Sequence, residues 1–295
     1  MATIHEIQSR IKSIRDTQKI TNAMYLIASM KMRKAKGELD RTRPYFDMVS
    51  TEIKRVFRTA ENVKSHYFYP PEGEKELNGT YAYLVITADK GLAGAYNMNV
   101  LKKAEEALNN HPDTKLYVVG EYGRQYFKRR GIPVERNFLY TAQNPSMTRA
   151  REICAALLNA YDAGEIEKIY ILYTDLKNGI DMEAKSVRVL PFHRASFHTS
   201  TLEKKVNTPF EFFPSVEEVL DALIPSYVSG YIYSALVDSF CSEQSARMNA
   251  MSAANDNARS MIEELQGQFN RIRQSEITQE ITEITAGSRA IRQGQ

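Results

Sequence analysis

The chain has 295 residues, 43% of them hydrophobic and 25% charged, a balance that supports a packed core and excludes general disorder. No stretch approaches the ~18 to 20 apolar residues of a membrane-spanning helix, and the start MATIHEIQSR lacks a basic-then-apolar leader, so no direct membrane insertion is expected. Net charge is only +3, yet residues 1–60 hold thirteen Lys and Arg against six acids, an excess that suits an anionic partner of any kind.

The N-terminal segment carries apolar residues on steps of three and four: Ile4, Ile7, Ile11, Ile14, Tyr25, Ala28, Met32, Ala35, Leu39, Phe46, Val49, Ile53, Val56 and Ala60. Gln18, Thr21 and Thr42 interrupt this seam with polar groups. A stripe kept up this long predicts one helix seeking a helical partner, from about residue 3 to 60 and roughly 85 Å long at 1.5 Å per residue. Pro44 is expected to kink it.

The middle of the chain has a different rhythm. TYAYLVIT (80–87), KLYVVG (115–120) and KIYILYTDL (168–176) read as strands, with helices over 97–109 and 146–161 between them. Such alternation predicts a small α/β domain with a mostly parallel sheet, and a further strand over about 182–190 is expected to pair antiparallel at an edge. Within the mixed stretch 191–213, one strand near Phe210 to Phe213 is expected.

The C-terminal segment supplies a partner for the first helix. It begins at Val216 to Ile224, is expected to be interrupted at Pro225, and continues from Tyr227 to about Ile291. Its seam includes Tyr227, Val237, Cys241, Met248, Met251, Ala258, Ile262, Leu265, Phe269 and Ile272, after which the rhythm slips by one residue to Ile277, Ile281, Ile284 and Ile291. A slip of this kind predicts a change of partner. The fold class expected is therefore α/β: a long antiparallel two-helix coiled coil from residues 1–62 and 214–295, with a Rossmann-like α/β domain inserted over 63–213.

Chemistry-bearing motifs are sparse. The loop ITADKGLAGAYN (86–97) follows a strand and opens a helix as phosphate-binding turns do, but it matches neither GxGxxG nor GxxxxGK[ST]. Gly91 and Gly94 are instead expected to serve a tight turn with close helix-to-strand packing. Asp89 and Lys90 form the one polar pair beside it. The five histidines show no ligand spacing, Cys154 and Cys241 read as small buried residues, and no catalytic residue, metal or cofactor is expected.

Three stretches in chain order carry a resemblance: KITNAMYLIASMKMRKA (19–35), ITADKGLAGAYN, and ARMNAMSAANDNARSMIEELQGQFNRIRQSEITQEITEITAG (246–287). Together they are similar to the gamma subunit family of F-type ATP synthases, with departures at Met30 and Ser288, where small residues are usual. The resemblance implies a central-stalk rotor that couples ion flow through a membrane c-ring to ATP synthesis or hydrolysis in a ring of alpha and beta subunits, beside an epsilon subunit. It implies a peripheral protein on the cytoplasmic face of a bacterial cell membrane. It further implies that Met24, Lys31, Arg33, Lys34 and Lys36 face the beta subunits, that Arg273, Gln274, Thr278 and Glu280 meet their catch loops, and that Phe210 and Phe212 face epsilon and the c-ring. Two other readings rest on the residues alone: a nucleotide-binding α/β enzyme with a coiled-coil dimerisation arm, and a basic coiled-coil nucleic-acid binder. No aromatic interleaving accompanies the basic run, so no nucleic-acid partner is expected.

Overall fold

The computed structural model describes residues 4–59, 65–69, 79–177, 181–193 and 211–293. In chain order these form α1 (Ile4–Thr59), β1 (Tyr81–Ile86), α2 (Tyr96–Asn110), β2 (Thr114–Val119), α3 (Glu121–Arg129), α4 (Met147–Asp162), β3 (Lys168–Lys177), β4 (Asp181–Leu190) and α5 (Val216–Gln293). Two compact units result, one of residues 1–28 with 247–295 and one of residues 29–246.

In the larger unit the strands run in the order β2-β1-β3-β4. The first three are parallel and β4 is antiparallel to β3, as the sequence predicts. Alternation along β1 assigns the two faces of the sheet. Ala82, Leu84 and Ile86 join a core with Ile153, Cys154 and Leu157 of α4, with Ile53 and Val56 of α1, and with Leu220 to Cys241 of α5. Tyr83 and Val85 point the other way, onto Val100, Leu101 and Ala104 of α2 and Phe127 of α3. A period of two in the strands and of three to four in the helices is thus converted into a three-layer core.

Within this unit α1 and α5 pack closely. Phe46 lies over Gly230, where a Cβ would stand 2.0 Å from the Phe46 ring, so the close approach requires glycine. The thiol of the buried Cys241 donates to Met32 O at 3.8 Å, and Tyr233 hydrogen bonds the polar seam residue Thr42.

In the smaller unit Ile7, Ile11 and Ala28 of α1 are buried, as are Met251 and Ala258 of α5. Gln18 Nε2 donates to Asn255 O at 3.4 Å, and the Thr21 hydroxyl hydrogen bonds the Asn255 side chain. Two of the three polar interruptions of the seam therefore share one partner.

One proline behaves differently from expectation. α5 is continuous through Pro225, not interrupted there. A proline removes only one backbone donor, and here Leu220, Ile224 and Val228 are buried on the same helix face, which holds the turn in place. The Pro225 carbonyl accepts from Ser229 Oγ at 2.7 Å and from the Cys154 thiol at 3.6 Å. α1 also contains Pro44, which lies on its exposed face. No strand forms over 211–213, which is irregular, and Phe210 lies outside the described residues. α3 was not expected; at nine residues it is too short to declare a period.

Asp238 is among the titratable groups that this core holds off their ordinary values. Burial pushes the Asp238 carboxyl up from 3.8 to about 6, with Asp175 adding to the shift and Arg43, Ser234 and Lys185 opposing it. The folded state thus holds this proton more tightly than the unfolded chain does. Its contribution to stability grows as pH falls from about 6 towards 4, and ionised Asp238 weakens the fold above that window. Asp238→Asn is expected to stabilise the chain by up to ~3 kcal/mol at pH 8 and little at pH 4. Thermal unfolding at the two pH values measures this, and an equal shift at both would show that the carboxyl titrates normally.

Candidate functional site

The glycine-bearing loop between β1 and α2 is built around three polar side chains. Thr87 Oγ1 donates to Val119 O at 2.9 Å and accepts from Gly123 N at 3.1 Å, joining β1 to β2 and to α3. Asn97 Oδ1 accepts from Ala88 N at 2.9 Å, and its amide donates back to Lys90 O at 3.5 Å. The Asp89 carboxylate accepts from Glu121 N at 3.0 Å and from Ala142 N and Gln143 N at 3.1 Å each, and takes the Thr141 hydroxyl as well.

This arrangement decides what the loop can do. Successive N–H groups at a helix N-terminus and an adjoining loop are what an α/β fold uses to cradle a phosphate. Here the donors at the start of α3 and in the loop before α4 are taken by the chain's own carboxylate. The crevice is filled by an internal anion, which is physical ground against the nucleotide-binding reading.

The glycines act differently from expectation. Gly94 adopts a φ of +52° and so needs its glycine, as the turn predicts, but a Cβ at Gly91 or Gly94 would meet nothing within 4 Å. Close packing falls instead on Gly120 (φ +95°), whose Cβ would lie 2.3 Å from Thr87 O, and on Gly123, whose Cβ would lie 2.6 Å from Thr87 Oγ1. With no Cβ there, α3 can start directly against the end of β1. The loop's own apolar residues Ala88, Ala93 and Tyr96 are buried together with Ala246 of α5, with Met182 beside them. The loop is a seat for a helix.

The residues expected to contact partners lie on α1, on α5 and near the start of α5. Met24 is half-buried in the smaller unit. Lys31, Arg33, Lys34 and Lys36 are exposed in the larger one; Lys31 Nζ donates to Gln143 Oε1 at 3.3 Å, and Arg33 donates to Ser29 Oγ at 3.1 Å. Arg273, Gln274, Thr278 and Glu280 are all exposed on α5, where Thr278 Oγ1 donates to Gln274 O at 2.8 Å. Beyond Ile272 the residues Ile277, Ile281 and Ile284 are exposed as well. Phe212 is half-buried against the core, whereas its neighbour Phe213, which the sequence did not single out, is 93% exposed. No helix among the described residues is long and apolar enough to cross a membrane, and no group of His, Cys, Asp or Glu among them could hold a metal.

The family model described as ATP synthase matches residues 3–291. The chain is similar to the ATP synthase gamma chain of Caldanaerobacter subterraneus subsp. tengcongensis, with 42% identity over 96% of this chain and 98% of that one. It is 39% identical to the ATP synthase gamma chain of Acetivibrio thermocellus, over 99% of this chain and all of that one. Among solved structures, a chain of the Euglena gracilis mitochondrial ATP synthase assembly of OSCP, F1 and c-ring matches at a TM-score of 0.67 with 15% identity, over 99% of this chain and 95% of that one.

The filled crevice leads to a direct test. Asp89→Asn keeps the shape of the side chain but removes the charge that four donors share, and is expected to lower stability by about 2 kcal/mol. Chemical denaturation of the purified variant against the parent measures it. Equilibrium dialysis of the parent chain with ATP is expected to give no saturable binding.

Proposed function

The chain belongs to the ATP synthase gamma-chain family, whose members are the rotor of the central stalk, and we propose that it does this work as a non-catalytic shaft. The reading supposes that a ring of alpha and beta subunits surrounds parts of α1 and α5, and that epsilon and the c-ring meet the α/β region. The protein then sits at the cytoplasmic face of a membrane, bound through partners. No side chain of the shaft touches the reacting phosphates.

Coupling of this kind needs only that the shaft meets identical sites differently. A rotor without the ring's symmetry presents another face to each site at any moment, and each site's conformation is biased by how well it fits that face. Turning the shaft turns the bias from one site to the next. ATP hydrolysis drives the same sequence backwards, because the coupling free energy is reciprocal.

One observation carries the proposal for the contact surface. α5 runs on past Ile272, the last seam residue, with Ile277, Ile281 and Ile284 exposed. An apolar helix face in water is unfavourable by about 25 cal/mol per Å², so a surrounding sleeve of protein stabilises it. Unbranched Met24 and the exposed Met30 suit a sliding surface, having no fixed hydrogen bonds to break. The side chains of Arg273, Gln274, Thr278 and Glu280 are free of the seam, and Arg273 and Glu280 offer charged contacts to the ring.

Deleting the chain from the complex is expected to abolish ATP-driven ion pumping in vesicles, while the isolated chain hydrolyses no ATP. Arg273→Ala and Glu280→Ala are expected to leave assembly intact and to slow turnover about fivefold, the effect of losing ~1 kcal/mol at a rate-determining contact. Met24→Lys adds a cation to a face already rich in them and is expected to reduce ions pumped per ATP more than it reduces assembly. Normal pumping ratios in Met24→Lys would remove that residue from the contact surface.

A further inference from the structure

Strand β3 is longer than its neighbour β1. Their pairing ends at Val85 and Leu172, where β1 gives way to the glycine-bearing loop. Two residues on from Leu172, the N–H and C=O of Thr174 point to the same edge and have no strand to meet. Thr174 is nevertheless buried, so these two groups require partners.

Helix α5 supplies them. Thr174 N donates to Ser239 Oγ at 3.3 Å, and Ser242 Oγ donates to Thr174 O at 3.2 Å. The serines are three apart, so they share one helix face, and both are fully buried. One turn further on, Ala246 rests on Ala88, Ala93 and Tyr96 of the glycine-bearing loop. Two side chains thus take the place of a missing strand, and the next turn is seated in the loop.

We propose that Ser239 and Ser242 are positioning residues that lock α5 to the sheet, so that torque passes between the α/β region and the shaft helix without slip. The proposal rests on the rotor function given above. Apolar contact alone resists separation but is non-directional, and two surfaces held only by it can slide past one another. Hydrogen bonds to one residue's N–H and C=O have a fixed direction and register, so they oppose the tangential displacement that load on a rotor creates.

The test uses the whole complex in vesicles, with Ser239→Ala, Ser242→Ala, the double variant, and Ser242→Thr as the conservative control. Expected in the alanine variants is ATP hydrolysis at the parent rate with no opposing ion gradient, and a loss of ions pumped per ATP as that gradient is raised, with Ser242→Thr restoring the ratio. Hydrogen exchange at the Thr174 amide is expected to quicken about tenfold in Ser239→Ala, as when one net hydrogen bond is lost. Parent-like pumping against a gradient, with exchange quickened, would overturn the proposal by showing that torque is carried without the lock. Unchanged exchange would overturn the lock itself. Should the double variant not assemble, each single variant is read in the same way. Failure of the rotor function would look different, since the parent complex would then pump without this chain.

Discussion

Everything in this chain depends on the packing of α1 against α5. Their seams are separated by the whole sheet in sequence, and helices of this length would not persist in water without a partner, because most helical stability comes from burying an apolar face. Apolar seams alone would permit several registers. Three kinds of contact exclude the alternatives: Gln18 and Thr21 both reach Asn255, Phe46 occupies the space left by Gly230, and the Cys241 thiol meets the Met32 carbonyl. A polar layer lowers the stability of a coiled coil but makes any shifted register worse still, since it would leave a hydrogen-bonding group buried against carbon.

The inserted domain shows how a fold can keep the outline of a nucleotide site and serve another end. A loop at the end of β1, an adjoining helix N-terminus and a parallel sheet are all present. The Asp89 carboxylate takes the amides that a phosphate would need, and the apolar residues of the loop receive Ala246. Fold alone does not assign function; side chains at the site do. In this chain they turn the loop into a seat for its own helix.

The long seams were legible in the sequence because periodicity over many turns leaves little choice. Every seam residue of α1 among those whose burial the structure describes is buried or half-buried. The loss of partner after Ile272 was legible for the same reason, as a slip in the rhythm. The edge strand β4 and the order of strand and helix followed from composition and alternation. Less legible were features set by tertiary contact. Continuity through Pro225 depends on buried neighbours that hold the turn, and the role of Gly120 and Gly123 depends on Thr87, which is distant in sequence. Asp89 appeared only as a polar residue beside a turn, because its donors come from residues 121 and 141–143. Which of Phe212 and Phe213 faces outward cannot follow from any period in an irregular stretch.

The central claim is that the register of α1 on α5 at Thr21 and Asn255 does not change during turnover. Cysteines at Thr21 and Asn255, whose side chains are in contact, allow the two helices to be locked by oxidation and released by reductant within the assembled complex. Ions pumped per ATP would be measured in vesicles before and after oxidation. The account predicts that the locked complex pumps as well as the reduced one. Loss of pumping on oxidation, restored by reductant, would contradict it and show that the helices must move past each other for the motor to run.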